Sequence, residues 1–376
     1  MKKVLLVILD GLGDLKIKEL ENKTPLEAAN TKNLDFIKKN GTFGFLKPFQ
    51  FKEEDYPTSE GTHIALFGYK DYFLKRGPYS AMGVNLPLNQ GDIALRVNFA
   101  TIKDGIIIDR RANRIKNTDT LIKALSNIEI NKIKFDIKKG DAHRAVLVLR
   151  GDHLKDNLSS NDPKKEGKAP LKIKGDQRTA DALNAYIKKT HLLLNELEFN
   201  KKRAFPANYL LVRGAGQFKK VPSFKEKYGL SAVCVAGGAL YKGIAKTLGM
   251  DIIEDPLFTA DIDTDLEGKF KAVKKALNSH DFVFLHIKGT DVCSHDGKFY
   301  EKKAFIEKID KYFKEFLNLK DLLMIITGDH ATPCKLKEHS SDNVPILIHG
   351  IKKEIPLLKG EEFMEIVDKI IKNKYN

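Results

Sequence analysis

Asp10 comes directly after the apolar run Val4–Leu9 and directly before Gly11. Asp291 and His295 follow the run Phe282–Ile287, the adjacent pair Asp329-His330 follows Leu322–Ile326, and His339 stands in a polar loop just ahead of Pro345–Ile348. If the runs are strands of one parallel sheet, these side chains gather outside the strands' carboxyl ends, where open α/β sheets bind their ligands. Asp291 and His295, four residues apart, share one face if their stretch is helical. Three carboxylates and three imidazoles form a mixed oxygen and nitrogen donor set, which suits Mn²⁺, Zn²⁺ or iron better than Ca²⁺. Six donors are too many for one tetrahedral ion and fit two neighbouring ions, the arrangement that stabilises the attacking and departing oxygens of phosphoryl transfer. Any one of these residues alone reads as a turn or a satisfied core histidine; their recurrence at strand ends is what points to chemistry. His153, His191 and His349 lack that setting and read as structural or solvated.

The segment Tyr56–Gly68 supplies a nucleophile, because it sets Ser59 at the start of a helical pattern. An unactivated serine attacks poorly, but coordination to a divalent cation lowers its effective pKa, and a helix N-terminus welcomes an incoming phosphate. The competing reading is that Ser59 or Thr58 simply caps the helix.

The elements that must hold these groups alternate in type. Short apolar runs at Val4–Leu9, Ala94–Ala100, Ala145–Leu149, Tyr209–Val212, Ala232–Ala236, Phe282–Ile287, Leu322–Ile326 and Pro345–Ile348 read as strands. Amphipathic spacing predicts helices near Pro25–Lys39, His63–Gly68, Thr118–Ser126, Thr179–Asn195, Ala239–Leu248, Phe299–Phe316 and Glu361–Ile371. Strand followed by helix predicts an α/β fold with a mainly parallel sheet flanked by helices on both faces. Asn157–Gly175, full of Ser, Asn, Asp, Pro, Lys and Gly, reads as a loop of low order. A chain of 376 residues exceeds what one core usually organises. The strand-end carboxylates fall at the two ends of the chain and the arginines in its middle. The sequence therefore predicts a discontinuous core domain, residues 1–71 and 229–376, interrupted by a smaller inserted domain, residues 72–228.

Composition narrows the function classes. With 42% hydrophobic and 31% charged residues the chain reads as soluble and globular, and no run approaches the roughly 18 apolar residues of a membrane helix. Val4–Leu9 is too short for a signal peptide and runs straight into Asp10-Gly11, so a cytoplasmic protein is expected. Three scattered cysteines without a CxxC pair argue against a disulfide framework and a zinc ribbon. The formal net charge is +15, yet the lysines are spread along the whole chain without dense basic runs or interleaved aromatics, which argues for a solvated surface and against nucleic acid. Arginine is scarce, and Arg76, Arg110, Arg111, Arg114, Arg144 and Arg213 crowd the middle of the chain. Where lysine is the default cation, a retained arginine suggests bidentate binding of phosphate or carboxylate.

In order along the chain, Ile8–Asp14, Lys23–Thr31, Ser59–Tyr69, Arg76-Gly77-Pro78, Asn98–Thr101, Asp109-Arg110-Arg111, His143-Arg144-Ala145, Arg213–Gly216, Lys288–Asp291, Thr327–His330 and His339-Ser340 resemble the archaeal-type cofactor-independent phosphoglycerate mutases of the alkaline phosphatase superfamily. The resemblance spans nearly the whole chain. It implies an alkaline-phosphatase-like core with an inserted α+β domain. The implied enzyme carries two divalent metal ions, Mn²⁺ foremost with Co²⁺, Zn²⁺ or Mg²⁺ as alternatives, and interconverts 3-phosphoglycerate and 2-phosphoglycerate without 2,3-bisphosphoglycerate. Motif for motif, Asp291, His295 and His339 would hold one ion, and Asp10, Ser59, Asp329 and His330 the other. Ser59 would become a phosphoserine, and the inserted domain would keep water from it. Arg110, Arg111, Arg114, Arg144 and Arg213, with Lys242 and Lys288, would grip phosphate and carboxylate, and Asp109 and His143 would relay protons between the glycerate hydroxyls.

The chain departs from that family at Glu60, where an aspartate usually follows the nucleophile, and at Val292-Cys293-Ser294 ahead of the metal histidine; it is also shorter than most relatives. These departures spare every ligand but leave room for a relative on the same scaffold that hydrolyses phosphate esters or transfers phosphate to another small alcohol such as homoserine.

Overall fold

The computed structural model describes residues 3–52, 55–355 and 357–372. The chain folds as two compact units, one formed by Met1–Phe73 with Pro222–Asn376 and the other by Leu74–Val221. The short helix Phe224–Tyr228 packs in the first unit, its Phe224 ring 4.8 Å from that of Phe282 and its Tyr228 hydroxyl donating to the Phe67 carbonyl at 2.8 Å.

The first unit is built on an eight-stranded sheet. Five strands run parallel, in the spatial order Asp251–Ile253, Ala232–Val235, Phe282–Ile287, Lys3–Leu9 and Leu322–Thr327; Val344–His349 and Thr42–Lys47 follow in antiparallel pairings, and Leu358–Lys359 closes the edge. Lys3–Leu9 is buried along almost its entire length because both faces are covered, so it reads as an unbroken apolar run with no alternation. The register pairs Leu9 with Ile287 and Ile8 with Thr327, so the three central strands end level and deliver the residues that follow them to one place. Thr42–Lys47 does not stand out as an apolar run because it lies one strand in from the sheet's edge, paired on its outer side only at Leu46 and Lys47, with Gly44 at its middle and exposed Phe43 and Phe45.

Two helix expectations change. The single pattern Pro25–Lys39 is two helices, Pro25–Ala28 and Lys32–Asn40. Ala29 is extended, and the free N–H groups of Asn33 and Leu34 donate to the Asp310 carboxylate at 3.1 and 2.8 Å, a cap borrowed from a helix 277 residues away. The helix expected at His63–Gly68 is Ser59–Leu66. Among the described residues no helix is long and apolar enough to cross a membrane.

The second unit carries an antiparallel sheet in the order Ile106–Asp109, Ile93–Lys103, Arg144–Arg150, Ile133–Lys139 and Ile128–Ile130, with Tyr209–Gln217 also paired to Ile93–Lys103. The helix Gln177–Glu196 covers it, stacking Tyr186 on Phe135 at 4.2 Å. Asn157–Gly175 forms no helix or strand, but it is firmly tied. Asn161 donates to Leu210 O at 2.9 Å and accepts from Val212 N at 2.7 Å, and Ser160 donates to Val212 O at 2.8 Å. Side-chain amides and hydroxyls supply here the bonds a ladder would otherwise make.

Candidate metal centre

The level strand ends bring Asp10, Asp291 and Asp329 together in the first unit. Asp10 N donates to Ile287 O at 2.9 Å, and Gly11 N to Asp329 Oδ1 at 3.1 Å. Gly11 has φ 65°, and a Cβ there would stand 2.7 Å from Thr332 Oγ1 and 2.8 Å from Asp291 Oδ1, so the turn after Asp10 accepts only glycine. Asp291 lies in the first turn of the helix Gly289–His295, and His295 returns on the same face with Nε2 3.4 Å from Asp291 Oδ1; His339 Nε2 is 3.8 Å from that oxygen.

Asp10 and Asp329 divide their two oxygens between structure and site, whereas both oxygens of Asp291 are held, Oδ1 accepting from the Thr332 hydroxyl at 2.8 Å. Asp10 Oδ2 accepts from the Tyr241 hydroxyl, from His286 Nε2 at 3.0 Å and from Lys288 Nζ at 3.0 Å. Asp291 Oδ2 accepts from Lys288 Nζ at 2.8 Å. The other oxygens turn inward, Asp10 Oδ1 standing 3.6 Å and Asp329 Oδ2 3.2 Å from His330 Nε2. Ser59 Oγ is 3.3 Å from the same nitrogen. Asp10 Oδ1 and Asp329 Oδ2 are buried with no hydrogen-bond partner among the described residues, an expensive state for carboxylate oxygens unless a cation meets them.

The imidazoles are arranged to match. His295 Nδ1 is 2.7 Å from Lys337 O and His339 Nδ1 2.8 Å from Pro57 O. A carbonyl accepts only from N–H, so these bonds put the proton on Nδ1 and leave the Nε2 lone pair free, the tautomer that ligates metal. Bond lengths of about 2.1 Å place neighbouring donors of a tetrahedral ion roughly 3.4 Å apart, and the separations around His330 Nε2 bracket that figure. The residues present therefore fit divalent cations. Two groups are compact enough to share one ion each, Asp10 with Asp329 and His330, and Asp291 with His330 and His339. His330 is common to both, so the two expected ligand sets meet at one imidazole.

Burial sets the electrostatics. It presses Asp10 upward, but Lys288, His286 and His330 outweigh it and hold that carboxyl well below the usual range. Burial and the Asp10 charge push Asp329 up to about 8. Burial holds His286 down at about 3 and His339 at about 4, so both rings are neutral donors or ligands at physiological pH. Two such close carboxylates resist sharing full charge, and cations beside them reverse that preference.

Ser59 is the first residue of its helix and does not cap it, because Thr58 Oγ1 accepts from Gly61 N at 3.2 Å. The Ser59 hydroxyl is thus left to face His330. His63, one turn on, places Nδ1 2.7 Å from Ser59 O and 3.6 Å from Asp329 Oδ2.

The remaining expected site residues fare unevenly. The Lys288 ammonium is held by Asp10, Asp291 and, at 3.0 Å, the Tyr241 hydroxyl, which makes it an internal countercharge and not an open anion grip. Lys242 is half-buried beside Tyr241 on the helix Ala239–Thr247. In the second unit, Arg110 spends its fork on Asp162, with contacts of 2.9 and 2.7 Å. Asp109 uses both oxygens to close a turn, accepting from Arg111 N at 2.6 Å and Asn113 N at 2.8 Å, so its carboxylate acts on the backbone. That turn holds Ala112, Asn113 and Arg114 at φ 44°, 53° and 50°, a left-handed run that fixes how Arg111 and Arg114 leave the chain. Arg111, Arg114 and Arg144 surround His143, whose buried ring is held at about 4, first by desolvation and then by those guanidinium groups. Burial also lowers Arg144 and Arg213, aided by Arg76, a cluster member absent from the expected site. Sequence reasoning likewise passed over Tyr241, His286 and His63. A histidine inside the apolar run Phe282–Ile287 was the available signal for one of them.

A family model described as the Metalloenzyme superfamily matches residues 2–374. A 2,3-bisphosphoglycerate-independent phosphoglycerate mutase of Archaeoglobus fulgidus is 41% identical over 365 residues, covering 92% of this chain and 88% of the relative. Among solved structures, a protein from Pyrococcus horikoshii superposes with a TM-score of 0.85 at 30% identity, over 100% of this chain and 98% of the other. A cofactor-independent phosphoglycerate mutase from Thermoplasma acidophilum gives 0.73 at 31% identity, over 99% and 100%.

Proposed function

The chain belongs to the Metalloenzyme superfamily and, within it, to the 2,3-bisphosphoglycerate-independent phosphoglycerate mutases, and from that membership we propose that it interconverts 3-phosphoglycerate and 2-phosphoglycerate through a phosphoserine at Ser59. The enzyme is then an isomerase of the intramolecular phosphotransferase kind. The observation that supports the mechanism best is the convergence of Ser59 Oγ, Asp10 Oδ1 and Asp329 Oδ2 on His330 Nε2, with two of those oxygens buried and unpartnered.

Asp10, Ser59, Asp329 and His330 would hold one divalent cation, and Asp291, His295 and His339 the other, Mn²⁺ being the ion we favour. Cations bound there supply charge that lowers the pKa of the Ser59 hydroxyl and offsets the negative charge building up on the phosphoryl oxygens. Ser59 Oγ attacks phosphorus, the bond from phosphorus to the glycerate oxygen breaks, and that oxygen leaves with a proton. The other glycerate hydroxyl then takes the phosphoryl group back and Ser59 is regenerated. Arg111, Arg114, Arg144 and Arg213 are proposed to bind the substrate's phosphate and carboxylate, and the neutral His143 ring to carry a proton between the glycerate hydroxyls. Arg110 and Asp109 support this cluster through Asp162 and the turn at 109–113. The substrate is small and charged, which fits a cytoplasmic enzyme.

The test is an enolase-coupled assay of 3-phosphoglycerate set beside measurement of released phosphate, before and after chelation and metal return. Conversion without stoichiometric phosphate, lost on chelation and regained with a divalent ion, is the expected result. Phosphate release in place of 2-phosphoglycerate would make the protein a hydrolase on this scaffold.

A further inference from the structure

We propose that His286 and Tyr241 are positioning residues for the metal centre: by fixing Oδ2 of Asp10 they turn Oδ1 toward His330 and thereby set the cation affinity of the Asp10 group alone. The inference rests on the two-ion reading above. His286 sits in the middle of the sheet, opposite Ile8 in the register, within a strand otherwise made of Phe, Val, Leu and Ile. It is 1% exposed and Tyr241 2%, and their rings stack at 3.4 Å. Burying an imidazole and a phenol in an apolar layer costs stability unless each finds a partner, and both find the same oxygen. An ionised carboxylate only accepts, so both groups donate.

The rotation of an aspartate carboxylate about its last bond is soft, and without donors on one oxygen either could face the site. Lys288 also holds Oδ2, but it bridges to Asp291 and serves both groups. His286 reaches Asp10 and not Asp291. The Tyr241 hydroxyl also accepts from Lys288 at 3.0 Å, but its removal leaves both carboxylate bonds of that ammonium in place, so the loss of either group should be felt at one ion only. Donors behind a ligating group typically change metal affinity by about 10- to 100-fold.

The experiment titrates chelator-treated full-length protein with Co²⁺, read by calorimetry and by the visible spectrum of the bound ion. His286→Phe keeps a stacking ring and removes the donor; Tyr241→Phe removes only the hydroxyl and carries the comparison if the first variant fails to fold. Wild type should show two binding events, one removed by Asp329→Asn and the other by His295→Ala. In both aromatic variants the event removed by Asp329→Asn should weaken about 10- to 100-fold while the other stays put, and the metal-free protein should keep its circular dichroism. Equal weakening of both events, or of neither, overturns the inference. A wild type with one event or none refutes the two-ion reading itself, and this inference with it, before any variant is compared.

Discussion

Lys302 offers the sharpest energetic test of how the site is held together. It lies on the helix Phe299–Phe313 with its side chain wholly buried, and Nζ donates to Gly11 O at 2.8 Å, Gly13 O at 3.3 Å, Thr332 O at 3.3 Å and Asp14 Oδ2 at 2.8 Å. Asp14, equally buried, accepts the Cys334 N–H at 3.1 and 3.2 Å. One ammonium thus fastens the loop carrying Asp10 to the loop carrying Asp329 and His330. Lys302→Met keeps the stem and removes the charge. Deleting one partner of a buried pair costs about 3–5 kcal/mol, because the remaining charge is left uncompensated, and each orphaned carbonyl adds roughly 1 kcal/mol unless water enters. With water reaching those carbonyls we expect about 4 kcal/mol, which at a urea slope of about 3 kcal/mol per M moves the unfolding midpoint by roughly 1.3 M. Adding Asp14→Asn should restore a good part of the loss by removing the stranded charge. The chain has no tryptophan, so far-ultraviolet circular dichroism of chelator-treated protein is the suitable signal. A shift below about 0.3 M for Lys302→Met, or no relief from Asp14→Asn, would refute the reasoning.

Further expectations concern substrate, pH and metal. Arg213→Ala should lower kcat/KM by about 10- to 100-fold, the worth of one charge-assisted hydrogen bond, chiefly through KM; an unchanged KM would remove Arg213 from the substrate site. The His143 ring titrates near 4 in the folded protein against an ordinary 6.5, so the unfolded chain binds the proton more tightly. Its stabilising contribution is complete above pH 6.5 and is lost as pH falls toward 4, and His143→Gln should flatten that limb of a urea-midpoint profile. Returning a divalent ion at about 100 times its Kd should add roughly 2.7 kcal/mol of stability to chelated wild type; no rise in the unfolding midpoint would deny that the folded site binds it.

Much of this site could be read from spacing because of where the carboxylates stand. Asp10, Asp291 and Asp329-His330 each follow a strand covered on both faces, whose unbroken apolar character marks its end sharply. Ser59 was equally visible, though only the Thr58 bond to Gly61 decided which residue caps the helix. What stayed hidden depends on distant pairing. His286 stands out as the one polar residue of its strand, but its partner does not, and Lys302 looks like any lysine on a lysine-rich helix, until Asp10 and Asp14 are seen beside them. Arg110 reads as an anion grip until the loop that carries Asp162, 52 residues on, returns to claim its fork. The helix break at Ala29–Thr31 is similar in kind, since its cap comes from Asp310. Local pattern finds elements and their ends; it does not say which charges are already spoken for.

The central claim is a phosphoryl group passing through Ser59, and acid quenching of metal-loaded protein mixed with 3-phosphoglycerate tests it directly. Peptide mass spectrometry should find one phosphoryl group on the peptide containing Ser59, absent from Ser59→Ala and from chelated wild type. Turnover with no phosphate on that peptide, or with undiminished rate in Ser59→Ala, would contradict the account.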